Sequence, residues 1–391
     1  MHAIDSAQGA PAVEVEVGVK RTRLLSMGLG AALTVAALAA CAPPATDSGS
    51  SGRDAALATS AGDLGGMDAL VEAAEKEGRL NVIALPPTWA NYGTIIKKFE
   101  HKYGITVRSD QPDAASQDEI NAANVLKGTD RAPDVFDLGQ SVALANTDLF
   151  APYKVVTWDD IGSDFKEPGG TWVNDYGGYM SVGYDSTEVP DVKTLDDLMG
   201  KAFKGKVALN GDPTQAGSAF SGVMMAAVLN GGSADDLAPG VRYFARLKKV
   251  GSFVPVDPTS RTIEARRTPV VLDWDYLNAA ETPKVPGWKV VIPSGGPAVA
   301  GYYFQAVNKD APHPAAARLW EEFLYSDEGQ NLWLAGGARP VRADAMVKAG
   351  TIDRAAYDAL PAAPHDIVLP TNKQNTSGAR YLSENWAKVV G

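Results

Sequence analysis

Apolar residues in the first half of this chain alternate between short runs and helical stripes. The run Leu80 to Ala84 predicts a buried strand, and Ile95, Ile96 and Phe99 lie on one stripe of a helix over Tyr92 to Tyr103. The alternation continues with a strand at Ile105 to Arg108, a helix at Ser116 to Lys127 and a strand at Asp134 to Leu138. This order predicts a parallel sheet wrapped by helices.

A second alternating series begins after Tyr179. Strands are expected at Gly205 to Leu209, Val270 to Asp273, Lys289 to Ile292 and Val299 to Val307, and helices at Gln215 to Leu229 and Gly240 to Val250. The chain from His313 onward is mostly helical, with Trp320, Phe323 and Leu324 spaced as a core stripe. The roughly 330 residues that follow residue 62 are too many for one ordinary core, so two lobes are expected.

The first forty residues have a different pattern. Lys20, Arg21 and Arg23 precede an apolar run from Leu24 to Ala40, which ends in small residues. A basic cluster, a short apolar core and small residues describe an export signal, and the run is short for a membrane span. We expect residues 1–40 to be a signal peptide, with a transmembrane anchor as the alternative.

Cys41, the only cysteine in the chain, directly follows those small residues and resembles the lipidated cysteine of a bacterial lipoprotein. The resemblance implies a mature protein that begins at Cys41, carries lipid there and sits on the outer face of the bacterial cell membrane. Residues 41–62 begin with a small, polar composition and are expected to form a flexible tether.

The chain is acidic, with a formal net charge of −11. Residues 1–40 contain three basic and three acidic residues, so removal of the signal would leave that charge unchanged. No block of Lys and Arg is available to neutralise phosphates, so nucleic-acid binding is not expected.

Two stretches resemble type II periplasmic solute-binding proteins of ATP-binding-cassette importers. They are the run from Ser181 to Leu209, which includes Val189-Pro190 and Phe203-Lys204-Gly205-Lys206, and the run from Ala311 to Gln330, which includes Pro312-His313-Pro314. The polyamine-, ferric-iron- and phosphonate-binding receptors are the most similar groups.

This resemblance implies an α/β fold with two lobes, joined by crossover strands near 178–185 and 299–307, that close on a small solute. Lobe 1 would comprise residues 63–180 and 305–391, and lobe 2 residues 181–304. A monomer without cofactor or bound metal is implied, together with a membrane permease and its ATPase as partners.

In open α/β sheets, ligands bind beyond the carboxyl ends of the strands. The corresponding loops and the crossovers are rich in aromatic residues and carboxylates and contain no Lys or Arg. The candidate ligand-binding residues are Trp89, Tyr92, Ser116, Asp137, Tyr179, Asp212, Thr214, Trp274, Asp275, Tyr276 and Tyr302.

Aromatic faces and carboxylates together favour an organic cation such as a polyamine. Trp274 stands where polyamine receptors carry a stacking tryptophan. The returning strand has Tyr302-Tyr303-Phe304 where those receptors show a Trp-Met-Asp-like run, so Asp273 or Asp275 would have to replace that aspartate. Each of these residues also has an ordinary structural role: aromatic side chains pack in cores, Asp212 can open a turn and Thr214 can cap a helix.

Two other ligands are compatible with the same fold. Ferric receptors bind iron through adjacent tyrosines, as in Tyr302-Tyr303, although neighbouring side chains of a strand point to opposite faces. An anion or aminophosphonate could bind at the helix that begins near Thr214 to Ser218.

An enzyme is the competing class of protein, and a secreted hydrolase is the distant alternative. The sequence has no Gly-x-Ser-x-Gly elbow, phosphate loop or His-Glu-x-x-His motif. We therefore expect a binding protein rather than an enzyme.

Overall fold

The structure is a computed structural model and describes residues 55–360 and 364–391. The predicted signal peptide, most of the tether and Cys41 lie outside these residues. The helices are α1 Met67–Glu77, α2 Tyr92–Tyr103, α3 Ser116–Val125, α4 Gln140–Ala145, α5 Gly217–Val228, α6 Ala238–Lys249, α7 Ser260–Glu264, α8 Asp275–Ala280, α9 Pro314–Leu324, α10 Asp327–Ala335, α11 Ala343–Ala349, α12 Arg354–Ala359 and α13 Asn372–Val389.

The strands are β1 Arg79–Ile83, β2 Thr106–Asp110, β3 Val135–Leu138, β4 Phe150–Ala151, β5 Val173–Asp185, β6 Val207–Leu209, β7 Val270–Trp274, β8 Trp288–Val291, β9 Ala298–Asn308, β10 Arg339–Pro340 and β11 Ile367–Val368. Short 3-10 turns occupy Ala61–Leu64, Thr147–Leu149, Trp158–Asp160, Ser163–Phe165, Leu195–Met199 and Lys201–Phe203. Within the described residues, no helix combines the length and the apolar character needed to cross a membrane.

Two long strands, β5 and β9, connect the two halves of the fold. The first half of β5 pairs with β9 and β10, and its second half pairs with β7 and β8. The second half of β9 pairs with β3 in lobe 1. Both strands lie at the predicted crossovers, and the two-lobe α/β fold is confirmed.

Each lobe contains a parallel pair of strands, as the alternating pattern predicted. In lobe 1, β1 pairs with β2, and in lobe 2, β6 pairs with β7. The carboxyl ends of these strands lead into the segments that face the other lobe. The sheets therefore place the loops after β1, β2, β3, β6 and β7 around one space.

Helix starts of the two lobes meet at a pair of glycines. A Cβ atom on Gly139, before α4, would lie 2.5 Å from the Cα of Gly217, the first residue of α5. Only hydrogen side chains allow the backbones to approach this closely. The lobes are therefore in backbone contact beside the crossover strands.

The N-terminal segment that was assigned to the tether is partly folded onto lobe 1. Ala55, Ala58 and Ala61 are buried. The buried guanidinium of Arg318 on α9 donates hydrogen bonds to the carbonyls of Ala56 (2.9 Å) and Ala58 (2.8 Å). These contacts fix the point at which the described chain joins lobe 1.

The C-terminal helix α13 contacts both lobes, although the sequence had placed it in lobe 1. Gln140 of lobe 1 donates to Asn372 at its start (2.9 Å). Further along, Trp386 packs against Phe244 of lobe 2, with ring centroids 5.4 Å apart. This helix therefore bridges the two lobes.

Replacing Trp320 by Ala should strongly destabilise the protein. Trp320 is fully buried on α9, and its ring lies 5.1 Å from that of Phe99. Removal of such a side chain leaves a cavity and typically costs about 3–5 kcal/mol. Urea denaturation measures the effect, and Val125→Ala on the surface should change the free energy of unfolding by less than about 0.5 kcal/mol. Equal effects of the two substitutions would contradict the assignment of Trp320 to the core.

Candidate functional site

A cavity of about 740 Å³ opens between the lobes and receives the ends of the parallel strands. It is called the cleft below. Its lobe 1 wall includes Ala84, Pro86, Thr88, Trp89, Asp113, Ala114, Ala115, Ser116, Asp118, Glu119 and Asp137. Its lobe 2 wall includes Asn210, Gly211, Asp212, Gln215 to Ser218, Asp257 to Arg261, Ile263, Val271, Asp273, Leu277, Asn278, Glu281 and, from β9, Tyr303.

The lobe 1 side of the floor is built around Asp137, at the end of β3. The Tyr176 hydroxyl donates to Asp137 Oδ2 (3.0 Å) and accepts from the Trp89 indole nitrogen (2.6 Å). Tyr176 is itself stacked on Tyr303, with ring planes 2° apart. The second oxygen of Asp137, Oδ1, is buried and has no hydrogen-bond partner in the described part of the chain. This oxygen is a buried acceptor without a donor, in a side chain that lines the cleft.

The lobe 2 side of the floor carries a matching carboxyl at the end of β7. Asp273 Oδ2 accepts from the side chain of Asn210 (2.7 Å), and its Oδ1 accepts from the backbone N–H of Trp274 (2.8 Å). Asp273 is buried and lines the cleft. Each lobe therefore contributes one buried aspartate to the floor.

Burial changes the titration of these acids. Desolvation raises the pKa of Asp137 to about 7, although the Tyr92 and Tyr176 hydroxyls oppose the shift. Desolvation likewise raises the pKa of Asp273 to about 7. The pKa of Glu119 is raised well above its usual range by burial and by the charge of Asp137. Near neutral pH, Asp137 and Asp273 are therefore each partly protonated.

The charge of the cleft wall is predominantly negative. Of the described residues that line it, eight are Asp or Glu and one, Arg261, is basic. The rim acids Asp113, Asp212 and Asp257 are exposed, whereas Glu119, Asp137, Asp273 and Glu281 are buried. Low-dielectric walls with one sign of charge concentrate counter-ions, so this cleft attracts cations.

Comparison with known proteins identifies the family. A model described as bacterial extracellular solute-binding protein matches residues 133–362, which is more than half of the chain. The chain belongs to this family. The solute-binding protein is therefore of the predicted class and not an enzyme, and its family is extracytoplasmic. A comparison with curated proteins found no match.

Solved structures show the same fold. The periplasmic binding protein P5PA is 18% identical, with a TM-score of 0.65, and the alignment covers 80% of the solute-binding protein and 100% of P5PA. A ferric binding protein from Campylobacter jejuni is 17% identical, with a TM-score of 0.59, and the alignment covers 79% and 99% of the two chains. AgtB from A. tumefaciens R10, in complex with agropinic acid, is 15% identical, with a TM-score of 0.63 and coverage of 80% and 98%.

Four of the predicted ligand-binding residues of the solute-binding protein line the cleft: Trp89, Ser116, Asp137 and Asp212. The Ser116 hydroxyl accepts a hydrogen bond from the N–H of Gly139 (2.9 Å), so it also supports the backbone there. Asp212 accepts from the N–H and the hydroxyl of Thr214 in a local turn. Thr214 is exposed and does not line the cleft.

The other predicted residues lie beside or behind the cleft and do not line it. Tyr92 is fully buried against Trp333, with centroids 4.7 Å apart, and its hydroxyl accepts from Gln305. Trp274 is buried and packs edge-on against Tyr303. Tyr92 and Trp274 therefore pack behind the side chains that form the floor.

The remaining predicted positions also lie outside the cleft lining. Asp273 faces the cleft, whereas Asp275, beyond the end of β7, is the first residue of α8 and accepts from the N–H of Tyr179 (3.0 Å). Tyr303 lines the cleft, whereas Tyr302 contacts Phe165, with ring centroids 4.8 Å apart. The guanidinium of Arg339 lies over the Tyr179 ring and Tyr276 is buried, so these two tyrosines also lie outside the cleft lining.

Several residues that line the cleft were not predicted. The sequence features that could have identified them differ from residue to residue. Asp273 and Tyr303 stand one position from predicted residues, so a correct choice of strand face would have found them. Glu119 was assigned to the first turn of a helix and not to the site. Arg261 follows neither a predicted strand nor a recognised motif, and the expectation of a site without Lys or Arg is corrected by its place in the wall.

Asp273→Asn should make the protein more stable at pH 7 and flatten its pH dependence. The unfolded chain ionises Asp273 near pH 4, whereas the folded protein holds the proton up to about pH 7. The folded state therefore binds more protons in this window, and stability falls as pH rises from 4 to 7, by about 1.4 kcal/mol per pH unit for one proton. Asparagine removes this contribution, and urea denaturation from pH 5 to pH 8 measures it.

Asp185→Asn is the matched control. Asp185 is equally buried on β5 but lies 3.6 Å from Arg266 and accepts from Thr187. Its replacement should lower stability at pH 7. If Asp273→Asn lost stability to the same extent, the buried acid would be a structural element of lobe 2.

Proposed function

We propose that this solute-binding protein captures a small organic cation, such as a polyamine, and delivers it to the membrane permease of an ABC importer. The observation that carries the proposal is the unpartnered oxygen Asp137 Oδ1 in the floor of an acidic cleft. A buried carboxylate without a partner is costly, and a ligand ammonium group would supply both the charge and the hydrogen bond.

Carboxyls on both lobes support binding coupled to closure. An ammonium group placed between Asp137 of lobe 1 and Asp273 of lobe 2 would be stabilised most when the lobes approach each other. A ligand shifts an open-to-closed equilibrium only by contacts that differ between the two states. Contacts with both aspartates would provide that difference.

The aromatic floor supports the same class of ligand. Trp89 and Tyr303 line the cleft beside Asp137, with ring centroids 5.5 Å apart. Ring faces attract ammonium groups, and a desolvated contact is worth about 2 kcal/mol. Alkyl segments of an organic cation would pack on the same rings.

The alternatives receive less support. A ferric site of adjacent tyrosines would need Tyr302 and Tyr303 on one face, but only Tyr303 lines the cleft. An anion could bind at the start of α5, where Gly217 and Ser218 line the wall. The surrounding carboxylates would oppose an anion without a positive group of its own.

A lipid anchor on Cys41 is the second part of the proposal. Support comes from the sequence alone: the basic cluster, the apolar run and the small residues that precede this cysteine. An anchored receptor would remain beside the permease on the outer face of the membrane. Two or more acyl chains provide stable attachment.

Asp137→Asn and Asp273→Asn should each weaken binding of putrescine or spermidine by roughly tenfold to a hundredfold. The reason is the loss of a charge-assisted hydrogen bond, worth about 1.5–3 kcal/mol. Titration calorimetry of the purified protein measures the affinities. In the unmodified protein, affinity should also fall as pH decreases below 7, because protonated carboxyls no longer attract the cation.

Asp185→Asn, which removes a buried aspartate remote from the cleft, should leave polyamine affinity unchanged. Fe(III)-citrate and an aminophosphonate are titrated in parallel. Binding of Fe(III)-citrate with no response to any amine would reject the cation proposal and favour the ferric alternative.

Cys41→Ser should release the protein from the membrane while solute affinity stays the same. Serine cannot form the thioether bond that holds the lipid. Fractionation of expressing cells into membrane and soluble protein gives the result. A variant that stays in the membrane fraction would show attachment by another means, such as the apolar run itself.

A further inference from the structure

Arg261 is the one basic side chain in the described lining of an otherwise acidic cleft. It is exposed, and it makes no ion pair with any described carboxylate, although eight line the same cavity. A guanidinium left unpaired among so many acids has its five donors available.

The position of Arg261 is fixed by its helix. The side chain of Thr259 caps α7 by accepting from the N–H of Thr262 (3.2 Å), and Thr262 in turn accepts from the N–H of Thr259 (2.9 Å). On the same helix, Ile263 is buried in a cluster with Val271, Val285 and Trp288. The guanidinium therefore extends from an anchored turn and not from a free loop.

The buried acid that contacts this turn, Glu281, is already neutralised. Glu281 Oε1 accepts from Ser260 of α7 (2.6 Å) and pairs with Lys284 (2.9 Å). The positive charge of Arg261 is therefore not cancelled from this direction. The cleft has an acidic floor at Asp137 and Asp273 and a positive group at the α7 wall.

We propose that Arg261 is a specificity-determining residue that binds an acidic group at one end of the solute, so that the preferred ligand is a zwitterion with an amine at its other end. This inference rests on the proposed function, because the amine is assigned to the floor aspartates. A carboxylate would form a bidentate pair with the guanidinium. A diamine would place a second positive charge near Arg261 and lose affinity.

The test compares ligands that differ only at one end. The pairs are putrescine with γ-aminobutyrate and cadaverine with δ-aminovalerate, and valerate serves as the acid without an amine. Calorimetry on the full-length protein should give at least tenfold tighter binding for the amino acid in one or both pairs, and weaker binding of valerate. Arg261→Gln should weaken binding of the amino acid by about tenfold and strengthen binding of the diamine. Arg261→Lys should retain part of the preference for the amino acid.

Arg267→Gln is the matched control, since Arg267 is exposed just beyond α7 and outside the cleft lining. This substitution should change neither the affinity for the amino acids nor the affinity for the diamines. Diamines that bind as tightly as the amino acids, with no change of preference in Arg261→Gln, would overturn the role of Arg261 and leave cation binding intact. Absence of binding by every amine would overturn both this inference and the proposed function.

Discussion

Burial of carboxyl groups without basic partners is the constraint on which the centre of this molecule depends. Asp137 and Asp273 are enclosed by strand ends and aromatic rings, and their pKa values rise because water is excluded. Such groups do not increase stability, since the folded state must either keep them protonated or tolerate a desolvated charge. Both groups nevertheless line the cleft at the junction of the two lobes.

The surrounding structure supplies the rigidity that this arrangement needs. Tyr176 stacks against Tyr303 on one side and Trp333 on the other, with centroids 5.5 Å and 4.2 Å apart. Its hydroxyl connects Trp89 to Asp137. The side chains that would meet a solute thus belong to one packed aromatic layer, which holds their orientation before the solute arrives.

Much of the fold could be predicted from the sequence because apolar periodicity reports burial directly. The parallel strands lie where the apolar pattern placed them, and the long crossovers lie where the family resemblance placed them. The site was harder, since proximity to a strand end does not decide which face a side chain takes. Asp273 and Asp275 look equivalent in the sequence, yet Asp273 lines the cleft and Asp275 lies outside its lining as the first residue of α8. Arg261 reaches the cleft only through the folding of α7 against β7, which no local pattern encodes.

The hydrogen bonds from Arg318 to the carbonyls of Ala56 and Ala58 have a mechanical consequence. Any pull transmitted along the chain from before residue 55 enters lobe 1 through buried hydrogen bonds. The crossover strands, the glycine contact and α13 are among the connections between lobe 2 and lobe 1. A load on the N-terminal end would therefore act first on lobe 1 and would reach lobe 2 through the contacts between the lobes.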